Sequence, residues 1–575
     1  MRKLLIILGF VGCLASHSAH AGQMVNVEYI HLLIEQKWGI TVPYNPALEN
    51  PKVAANMKYL LTAVDRANKI LNGDAITDYG NGAFATQYAA DTIATIDAAD
   101  RLIKIEPKFW VTTTADTTEF EFTMSASGVF QIYWGDGTYD VIKRDDTTAS
   151  TYVHTYTAPG EYMIGIGGYV KGYNFGVSPY YAAISFKNNL NVAGIYGSLG
   201  AVFPTIGNGA DASHQPKFYN TFSGCGNLSS TIPENLFSGV KGAPALQMFA
   251  NTFNGCSKIS GAIPENLFGE IAGNITAGVF SGTFYGCANL IGSIPGGLFP
   301  GIVGRPVVTA FYHTFDGCVG LTGSIPENLF SGISGKAELR VFRGTFYNCT
   351  GLTGQIPAGL FAGVTAPGPE AFHSTFYGCR GLSGEIPQAL FSGLVGAPSA
   401  SLFFATFYGC SGLRGEIPGG LFAGIQGAPA DSMFSETFYG CSGLSGHIPG
   451  RLFAGISGTP VNNMFGRTFY GCSGLSGSIP GNLFAGIAGA PAEFMFNQIF
   501  SGCHGLTGTI PEKLFGNLSG APAAYMFQGA FASCENLAGC VPDELFAGID
   551  DTPESIIRNS NMFYNSGVNS KLCSD

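Results

Sequence analysis

Cysteine has the most regular spacing of the residues that could carry out chemistry in this chain. There are 14 cysteines, and eleven of them follow one another at intervals of 31 residues, apart from one interval of 30. They are Cys225, Cys256, Cys287, Cys318, Cys349, Cys379, Cys410, Cys441, Cys472, Cys503 and Cys534. A thiolate site for a metal ion uses closely spaced C-x-x-C pairs. The long, constant interval therefore predicts a repeated structural role.

The histidines and carboxylates add no catalytic pattern. The nine histidines fall at unrelated positions, and neither a G-x-S-x-G nor an H-E-x-x-H motif is present in the sequence. Glu385 and Glu416 occupy the same position of adjacent repeats, and such a pair is not by itself an acid/base dyad. The sequence therefore predicts a non-enzymatic protein with no catalytic residues, no metal site and no cofactor.

Composition and charge narrow the range of partners. The 575 residues include 28 basic and 39 acidic side chains, which give a net charge of -11. Because binding to phosphates needs basic patches, we expect neither nucleic acid nor an anionic membrane surface as a partner. The 82 glycines and 45 phenylalanines combine many tight turns with a large apolar interior, which favours a repeat architecture over one compact core.

The first residues predict export. Arg2 and Lys3 precede an apolar run from Leu4 to Ala15, and Ala19 to Ala21 forms a small-x-small cleavage site. Residues 1–21 are thus predicted to be a signal peptide, and the mature protein to be secreted or attached to the cell surface. The alternative is a lipoprotein signal in which Cys13 is acylated. No later stretch approaches the ~20 apolar residues of a membrane helix, so we expect no transmembrane segment.

Two regions precede the repeats. Residues 22–106 have apolar side chains at three- and four-residue steps, as in Val25 to Lys37 and Val53 to Leu71, which predicts a helical N-terminal region. This region could pack as a small domain or mediate oligomerisation or surface attachment. Residues 107–186 instead alternate apolar and polar side chains, as in Phe130 to Tyr133, which predicts a small β-sandwich.

Three short motifs in the second region resemble the PKD-type immunoglobulin-like domain. They are W-G-D-G at Trp134 to Gly137, H-T-Y at His154 to Tyr156, and G-x-Y at Gly160 to Tyr162, in the order and spacing of that family. The resemblance implies a rigid extracellular spacer rather than a catalyst. Asp136 lies in a glycine-flanked turn, where its carboxylate could bind Ca²⁺ or satisfy nearby backbone N–H groups.

Each repeat is predicted to contain a strand and two short helices. In the repeat from Cys472 to Gly502, the apolar stretch Gly474 to Ile479 ends at a proline and predicts the strand. Leu483, Phe484 and Ile487 share one face, which predicts a short helix or a 3₁₀ turn. Met495 to Phe500 has apolar residues at three- and four-residue steps, which predicts the second short helix. Because no unit could bury its apolar face alone, the repeats at 225–533 should stack into an α/β solenoid of about eleven units.

The repeat also resembles the leucine-rich repeat superfamily. Its core C-x-x-L-x-G-x-I-P-x-x-L-F, at Cys472 to Phe484, is close to the L-x-G-x-I-P-x-x-L of plant-type extracellular repeats. The preceding T-F-Y-G-C resembles the A-F-x-x-C of BspA-like bacterial surface repeats. Two features depart from the pattern: the 31-residue length exceeds the usual range of roughly 20 to 29, and the strand is one residue shorter than in BspA-like repeats. The resemblance implies a surface protein that binds proteins or glycans.

A solenoid would place the regularly spaced cysteines in one ladder. Equivalent residues of neighbouring coils stack at about 4.8 Å, whereas a disulfide needs Cβ atoms ~3.8 Å apart, so these cysteines should be buried and reduced. Cys540 and Cys573 lie off the ladder and could form a disulfide that pins the last repeat and C-terminal cap at 534–575. Residues 187–224 are predicted to cap the other end.

The position before each Ile-Pro pair is predicted to face outwards from the strands. Its members are Thr231, Ala262, Ser293, Ser324, Gln355, Glu385, Glu416, His447, Ser478 and Thr509, together with Cys540, which precedes Val-Pro in the last repeat. Larger polar groups occur at Gln355, Glu385, Glu416 and His447, with Arg414 nearby. These five residues are the predicted ligand-binding patch. The alternative is a solvated surface that binds nothing.

Together these features favour a leucine-rich repeat protein, secreted or on the cell surface, that mediates adhesion or protein/glycan binding through an elongated solenoid. One alternative is an accessory carbohydrate-binding protein of a polysaccharide-degrading system, because domains of the PKD type that this region resembles often accompany enzymes that degrade polysaccharides. Another is a structural protein of the envelope, assembled through residues 22–106. The expected partner is an extracellular protein or glycan ligand, and the oligomeric state stays open.

Overall fold

The computed structural model describes residues 105–174, 181–207 and 214–574. The predicted signal peptide at 1–21 lies outside these residues, as does nearly all of the predicted helical region at 22–106. The described chain consists mostly of short strands with very few helices, and phenylalanine recurs about every 31 residues. Within these ranges, no helix has the length and apolar composition that crossing a bilayer requires.

Eight strands precede the repeats and form two antiparallel sheets. They are β1 (Phe109–Thr113), β2 (Thr117–Met124), β3 (Ser127–Tyr133), β4 (Tyr139–Arg144), β5 (Ser150–Gly160), β6 (Met163–Gly172), β7 (Ile184–Ser185) and β8 (Val192–Gly197). One sheet has the order β4-β3-β6-β1-β8 and the other has the order β5-β2-β7. Along β2, Phe120 and Phe122 are buried while Glu119 and Glu121 are exposed, so alternation along the strand places one face of the sheet in the core.

The side chains of the three short motifs form one cluster. Trp134 is buried and stacks on His154 with ring centroids 4.7 Å apart, and His154 Nε2 lies 2.8 Å from Asp136 Oδ2. The Tyr156 hydroxyl donates to the Trp134 carbonyl at 2.9 Å, and the Tyr156 ring stacks on Tyr162. These contacts hold the turn between β3 and β4 against β5.

The sheets continue into the repeats through a shared core. β8 pairs with β1, and the short helix α1 (Leu199–Val202) follows it. The Phe222 ring lies 6.2 Å from Phe109 and 5.6 Å from Phe186, measured between centroids. The segment 187–224, which the sequence predicts as a cap, therefore contacts both the sheet and the first repeat.

One of two parallel ladders between successive repeats follows the L-x-G motif. In it the Ser476 N–H donates to the Gly446 carbonyl at 2.8 Å, and bridges such as Gly446↔Leu475 recur from repeat to repeat. The strand predicted at Gly474 to Ile479 is reduced to such single bridges. The reason is the motif glycine, because the positive φ of Gly477, +74°, turns the backbone out of the extended conformation.

The second ladder lies directly after the first helix predicted for each repeat. Its strands are β9 (Ala272–Asn274), β10 (Gly301–Val303), β11 (Gly335–Lys336), β12 (Val364–Ala366), β13 (Ala488–Gly489) and β14 (Asn517–Leu518). Ahead of β13, the Leu483 N–H donates to the Pro480 carbonyl and the Ile487 N–H to the Phe484 carbonyl. These bonds span three residues, as in a 3₁₀ turn, so the segment forms turns and the alternative of a short α-helix is wrong.

The helix predicted at Met495 to Phe500 is wrong. The hydrogen bonds of this segment show why. Alternate N–H groups donate to the next repeat, as from Phe496 to the Met526 carbonyl at 2.9 Å. The remaining N–H groups donate to the carbonyl three residues earlier in the same repeat, as from Asn497 to the Phe494 carbonyl at 3.1 Å. Every fourth residue has a positive φ, namely Phe494, Gln498 and Gly502. Because left-handed residues interrupt a right-handed helix, this segment winds in four-residue turns.

Phenylalanine fills the core of the repeats in parallel columns. Ring centroids lie 5.8 Å apart for Phe434 and Phe465, and 6.0 Å apart for Phe453 and Phe484. Rings of different columns also meet, since Phe434 and Phe453 lie 4.7 Å apart at an angle of 49°. The apolar core therefore runs without interruption from one repeat to the next.

Cysteine and threonine side chains add hydrogen bonds between the repeats. The eleven ladder cysteines are buried and free, and the Cys472 thiol donates to the Phe438 carbonyl of the preceding repeat at 3.0 Å. That carbonyl also accepts the Cys441 N–H, so the thiol satisfies its second lone pair. The Thr468 hydroxyl donates likewise to the Phe434 carbonyl at 3.0 Å. Burial raises the pKa of the ladder thiols, to about 12 at Cys441.

The last repeat ends in a short cross-linked segment. β15 (Cys540–Val541) pairs in parallel with β16 (Asn569–Leu572), and a disulfide joins Cys540 to Cys573, whose Cα atoms are 5.0 Å apart. Between the two strands lies the helix α2 (Pro553–Ser560), which the Thr552 side chain caps by accepting the Ser555 N–H. The two cysteines that lie off the ladder are thus bonded to each other.

Candidate functional site

The five residues of the predicted patch line one groove. Gln355, Glu385, Arg414, Glu416 and His447 are all exposed, and all border an open groove of about 1490 Å³. They belong to four successive repeats. The fold therefore brings together every side chain that the sequence assigns to the patch.

The motif around each Ile-Pro pair fixes the direction of these side chains. In one repeat, Leu413 and Ile417 are buried, while Arg414 and Glu416 between them are exposed. The apolar side chains anchor the backbone in the core, so the residues between them point to solvent as on the two faces of a strand. The parallel ladder then stacks equivalent residues of successive repeats at about 4.8 Å.

Glycines of the following repeat make room for the groove side chains. A Cβ atom at Gly415 would lie 2.6 Å from Glu385 Cγ, and one at Gly446 would lie 2.4 Å from Glu416 Cγ. Each carboxylate side chain therefore crosses the glycine of the next repeat, and the floor of the groove cannot carry a side chain there. Both glycines also have φ near the left-handed region, at +74°, which other residues rarely adopt.

Arg414 is held by the backbone of its own repeat. Its Nη1 donates to the Ser411 carbonyl at 2.7 Å and to the Leu413 carbonyl at 3.1 Å. A Cβ atom at Gly443 would lie 1.7 Å from this nitrogen, so the guanidinium lies against the next repeat. Two of its donor bonds are thus already used, which leaves fewer for a ligand.

The groove includes residues that the sequence analysis misses. Glu327 and Gln388 also border it, and both directly follow an Ile-Pro pair. The signal that could have identified them is the position directly after Ile-Pro, which is exposed at Glu327 and at Gln388. Recognising it requires knowing that the chain stays at the same surface after the proline.

Acidic groups outnumber basic ones in the groove. Its carboxylates belong to Glu327, Glu385 and Glu416, while Arg414 and His447 are its basic side chains. Of the residues that the structure describes along this groove, none is Phe, Tyr or Trp. The surface therefore offers mainly hydrogen-bond acceptors and negative charge between proline rings, without an aromatic face on which a flat ring could stack.

Comparison with known proteins found no matching family model, no similar curated protein and no similar solved structure.

Proposed function

We propose that this chain is a non-enzymatic binding protein, secreted or displayed on the cell surface, whose repeats form a leucine-rich-repeat-like solenoid. One observation carries the proposal: residues from five successive repeats line a single groove of about 1490 Å³. Elsewhere in the array the residue before Ile-Pro is alanine, serine or threonine, and larger polar side chains occupy this position only along the groove. Export is inferred from residues 1–21 alone.

The length of the groove suits an extended ligand. Its lining runs from Ser324 to Pro449, which spans four intervals of about 4.8 Å, or ~19 Å. An extended polypeptide rises about 3.3 Å per residue. A segment of about six residues would therefore fill the groove from end to end.

The chemistry of the groove favours a protein segment over a glycan. Three carboxylates, those of Glu327, Glu385 and Glu416, face a ligand that can donate hydrogen bonds and carry positive charge. Sugar rings usually pack on aromatic side chains, and this groove offers acidic and proline side chains instead. The ligand that fits best is an extended, lysine- or arginine-bearing segment of an extracellular protein.

A binding screen tests this proposal. The mature chain, residues 22–575, is applied to an array of extracellular-matrix proteins and to a glycan array, beside a variant with Glu385, Glu416 and His447 changed to alanine. We expect the wild type to bind a protein ligand and the variant to lose it while keeping its circular dichroism spectrum.

The matched control removes polar groups at the same motif position outside the groove, by Ser478→Ala and Thr509→Ala. Both side chains are exposed, and this variant should bind like the wild type. Loss of binding in the control, or binding to glycans alone, would contradict a protein ligand in the groove.

A further inference from the structure

A second cavity lies where the small sheet meets the segment 187–224, which precedes the first repeat. Its volume is about 270 Å³, and it lies between the β5-β2-β7 sheet and the loop that contains Tyr219 and Asn220. It is separate from the groove, with which it shares no lining residue. Sites between packed units are common places for small ligands.

The sheet supplies a row of hydroxyl groups to this cavity. Thr123 on β2 pairs with Thr151 on β5 and with Ser185 on β7, so the three side chains lie side by side on one face. Glu121 lies two residues before Thr123 on β2, which puts its carboxylate on that same face. All four residues line the cavity.

Charged and aromatic side chains close the cavity at the other side. Lys187 follows β7, and Tyr219 and Asn220 belong to the segment that directly precedes the first repeat. The Ser185 hydroxyl donates to the Asn220 carbonyl at 3.1 Å, which joins the two sides. The left-handed backbone of Asn220, at φ +55°, forms part of this turn.

Five polar side chains of the cavity have no partner among the residues that the structure describes, and three of the five, Glu121, Thr151 and Lys187, are exposed. The structure gives no hydrogen bond or ion pair, in the chain it describes, to the side chains of Glu121, Thr151, Lys187, Tyr219 or Asn220. Glu121 and Lys187 border one small space and yet do not pair with each other. The cavity therefore offers donors and acceptors along its lining, with one positive and one negative charge.

We propose that this cavity binds a single sugar ring, such as the terminal unit of a glycan. Sugar hydroxyls donate and accept hydrogen bonds at once, and the cavity offers hydroxyls, an amide, an acceptor carboxylate and a donor ammonium. The Tyr219 ring provides an apolar wall, and the balanced charges favour a neutral ligand. A volume of about 270 Å³ lies just below the range of drug-sized pockets, which limits the ligand to one ring.

Saturation-transfer NMR on the chain from residue 22 tests this inference. The probes are glucose, galactose, mannose and N-acetylglucosamine, with glycine and alanine as zwitterionic probes of similar size or smaller. We expect at least one sugar to bind at millimolar concentration. Thr151→Val removes the hydroxyl and keeps the shape of the side chain. This variant and Glu121→Gln should each lower the affinity for that sugar by about three- to tenfold.

Matched controls lie on the same strands outside the cavity. Thr155 and Glu119 pair with each other across β5 and β2 and are exposed, so Thr155→Val and Glu119→Gln should leave sugar binding unchanged. Three results would overturn the inference: no sugar bound at millimolar concentration, equal loss in the control variants, or binding of the amino acids in place of sugars.

Discussion

At the scale of single residues, the sequence predicts where the ladder cysteines lie but not what they do. Their constant interval indicates burial and a reduced state, and the structure has all eleven buried and free. The hydrogen bond from each thiol to a phenylalanine carbonyl, such as Cys472 to Phe438 at 3.0 Å, could not be predicted. It depends on the four-residue turns that place that carbonyl beneath the next repeat.

Thiol reactivity follows from this burial. Burial raises the pKa of the ladder thiols, to about 12 at Cys441 and at Cys534, and only the thiolate reacts with Ellman's reagent. A folded chain that lacks residues 1–21 should therefore show almost no reactive thiol at pH 8. After unfolding without reductant it should show eleven, the number of free cysteines. A count of thirteen would mean that Cys540 and Cys573 are not bonded.

Asp136 gives the first sheets a defined response to acid. Burial alone would raise its pKa, but hydrogen bonds from Thr138 and from the His154 ring lower it to about 2. An unfolded aspartate has a pKa of about 3.9. The lowered value stabilises the folded state above pH ~4, and this contribution is lost as the pH falls through about 4 to 2.

Urea unfolding followed by tryptophan fluorescence can measure this loss, because Trp38, Trp110 and Trp134 all precede the repeats. The wild type should have a higher midpoint than Asp136→Asn at pH 5, and the difference should vanish near pH 2. A difference that stays constant with pH would show that the carboxylate charge contributes nothing.

At the scale of elements, the sequence locates the first ladder, but the structure reduces the predicted strand to single bridges and forms turns in place of the helix predicted at Met495 to Phe500. Met495, Phe496, Ile499 and Phe500 fit the steps of a helix over so short a segment. Over its full length the spacing is four residues, since Cys503 continues the series, whereas a helix repeats every 3.6. The difference is too small to detect in two turns. The hydrogen bonds that decide it come from the next repeat, which no local pattern contains.

The motif glycines can be tested by substitution in the groove. In Gly446→Ala, the new Cβ would lie 2.4 Å from Glu416 Cγ at a φ of +74°. The left-handed backbone alone should destabilise the array by about 1 to 2 kcal/mol, and the Glu416 side chain must also move. Urea unfolding followed by far-ultraviolet circular dichroism measures the change.

Gly359 provides the control for this substitution. A Cβ atom there would meet nothing within 4 Å, and its φ is not in the left-handed range. Gly359→Ala should change the free energy of unfolding by less than about 0.5 kcal/mol. If the two variants unfolded at the same urea concentration, the close approach at Gly446 would have no energetic consequence.

The disulfide should stabilise the C-terminal end selectively. It closes a sequence separation of 33 residues, for which the chain-entropy model gives about 3 to 4 kcal/mol. In the double variant Cys540→Ser/Cys573→Ser, limited proteolysis should cut within 550–575 much faster, while cleavage in the preceding repeats stays slow. Equal cleavage rates in the variant and the wild type would contradict this stabilising role.

At the scale of the whole molecule, all five residues of the predicted patch border the groove, while their role in binding a ligand stays a prediction. The sequence locates these residues because the position before Ile-Pro recurs in the repeats. One column of exposed side chains can therefore be identified from the sequence alone. Glu327 and Gln388 complete the groove and lie beyond the proline, where the direction of the chain depends on the second ladder. The cavity beside Tyr219 needs the packing of the sheet on the segment 187–224, which the sequence does not reveal.

A peptide titration tests the proposed role of the groove most directly. The ligand is a labelled, extended peptide of alternating lysine and serine, about eight residues long, followed by fluorescence anisotropy at physiological salt. The wild type should bind it, and Glu385→Gln/Glu416→Gln should bind about tenfold more weakly, because two exposed charge pairs contribute roughly 0.5 to 1 kcal/mol each.

The matched variant Glu234→Gln/Glu512→Gln removes the same charge from exposed positions that follow Ile-Pro outside the groove. It should bind like the wild type if the groove is the site. Equal weakening in both variants would show that the peptide responds only to the net charge of -11, and it would contradict a binding role for the groove.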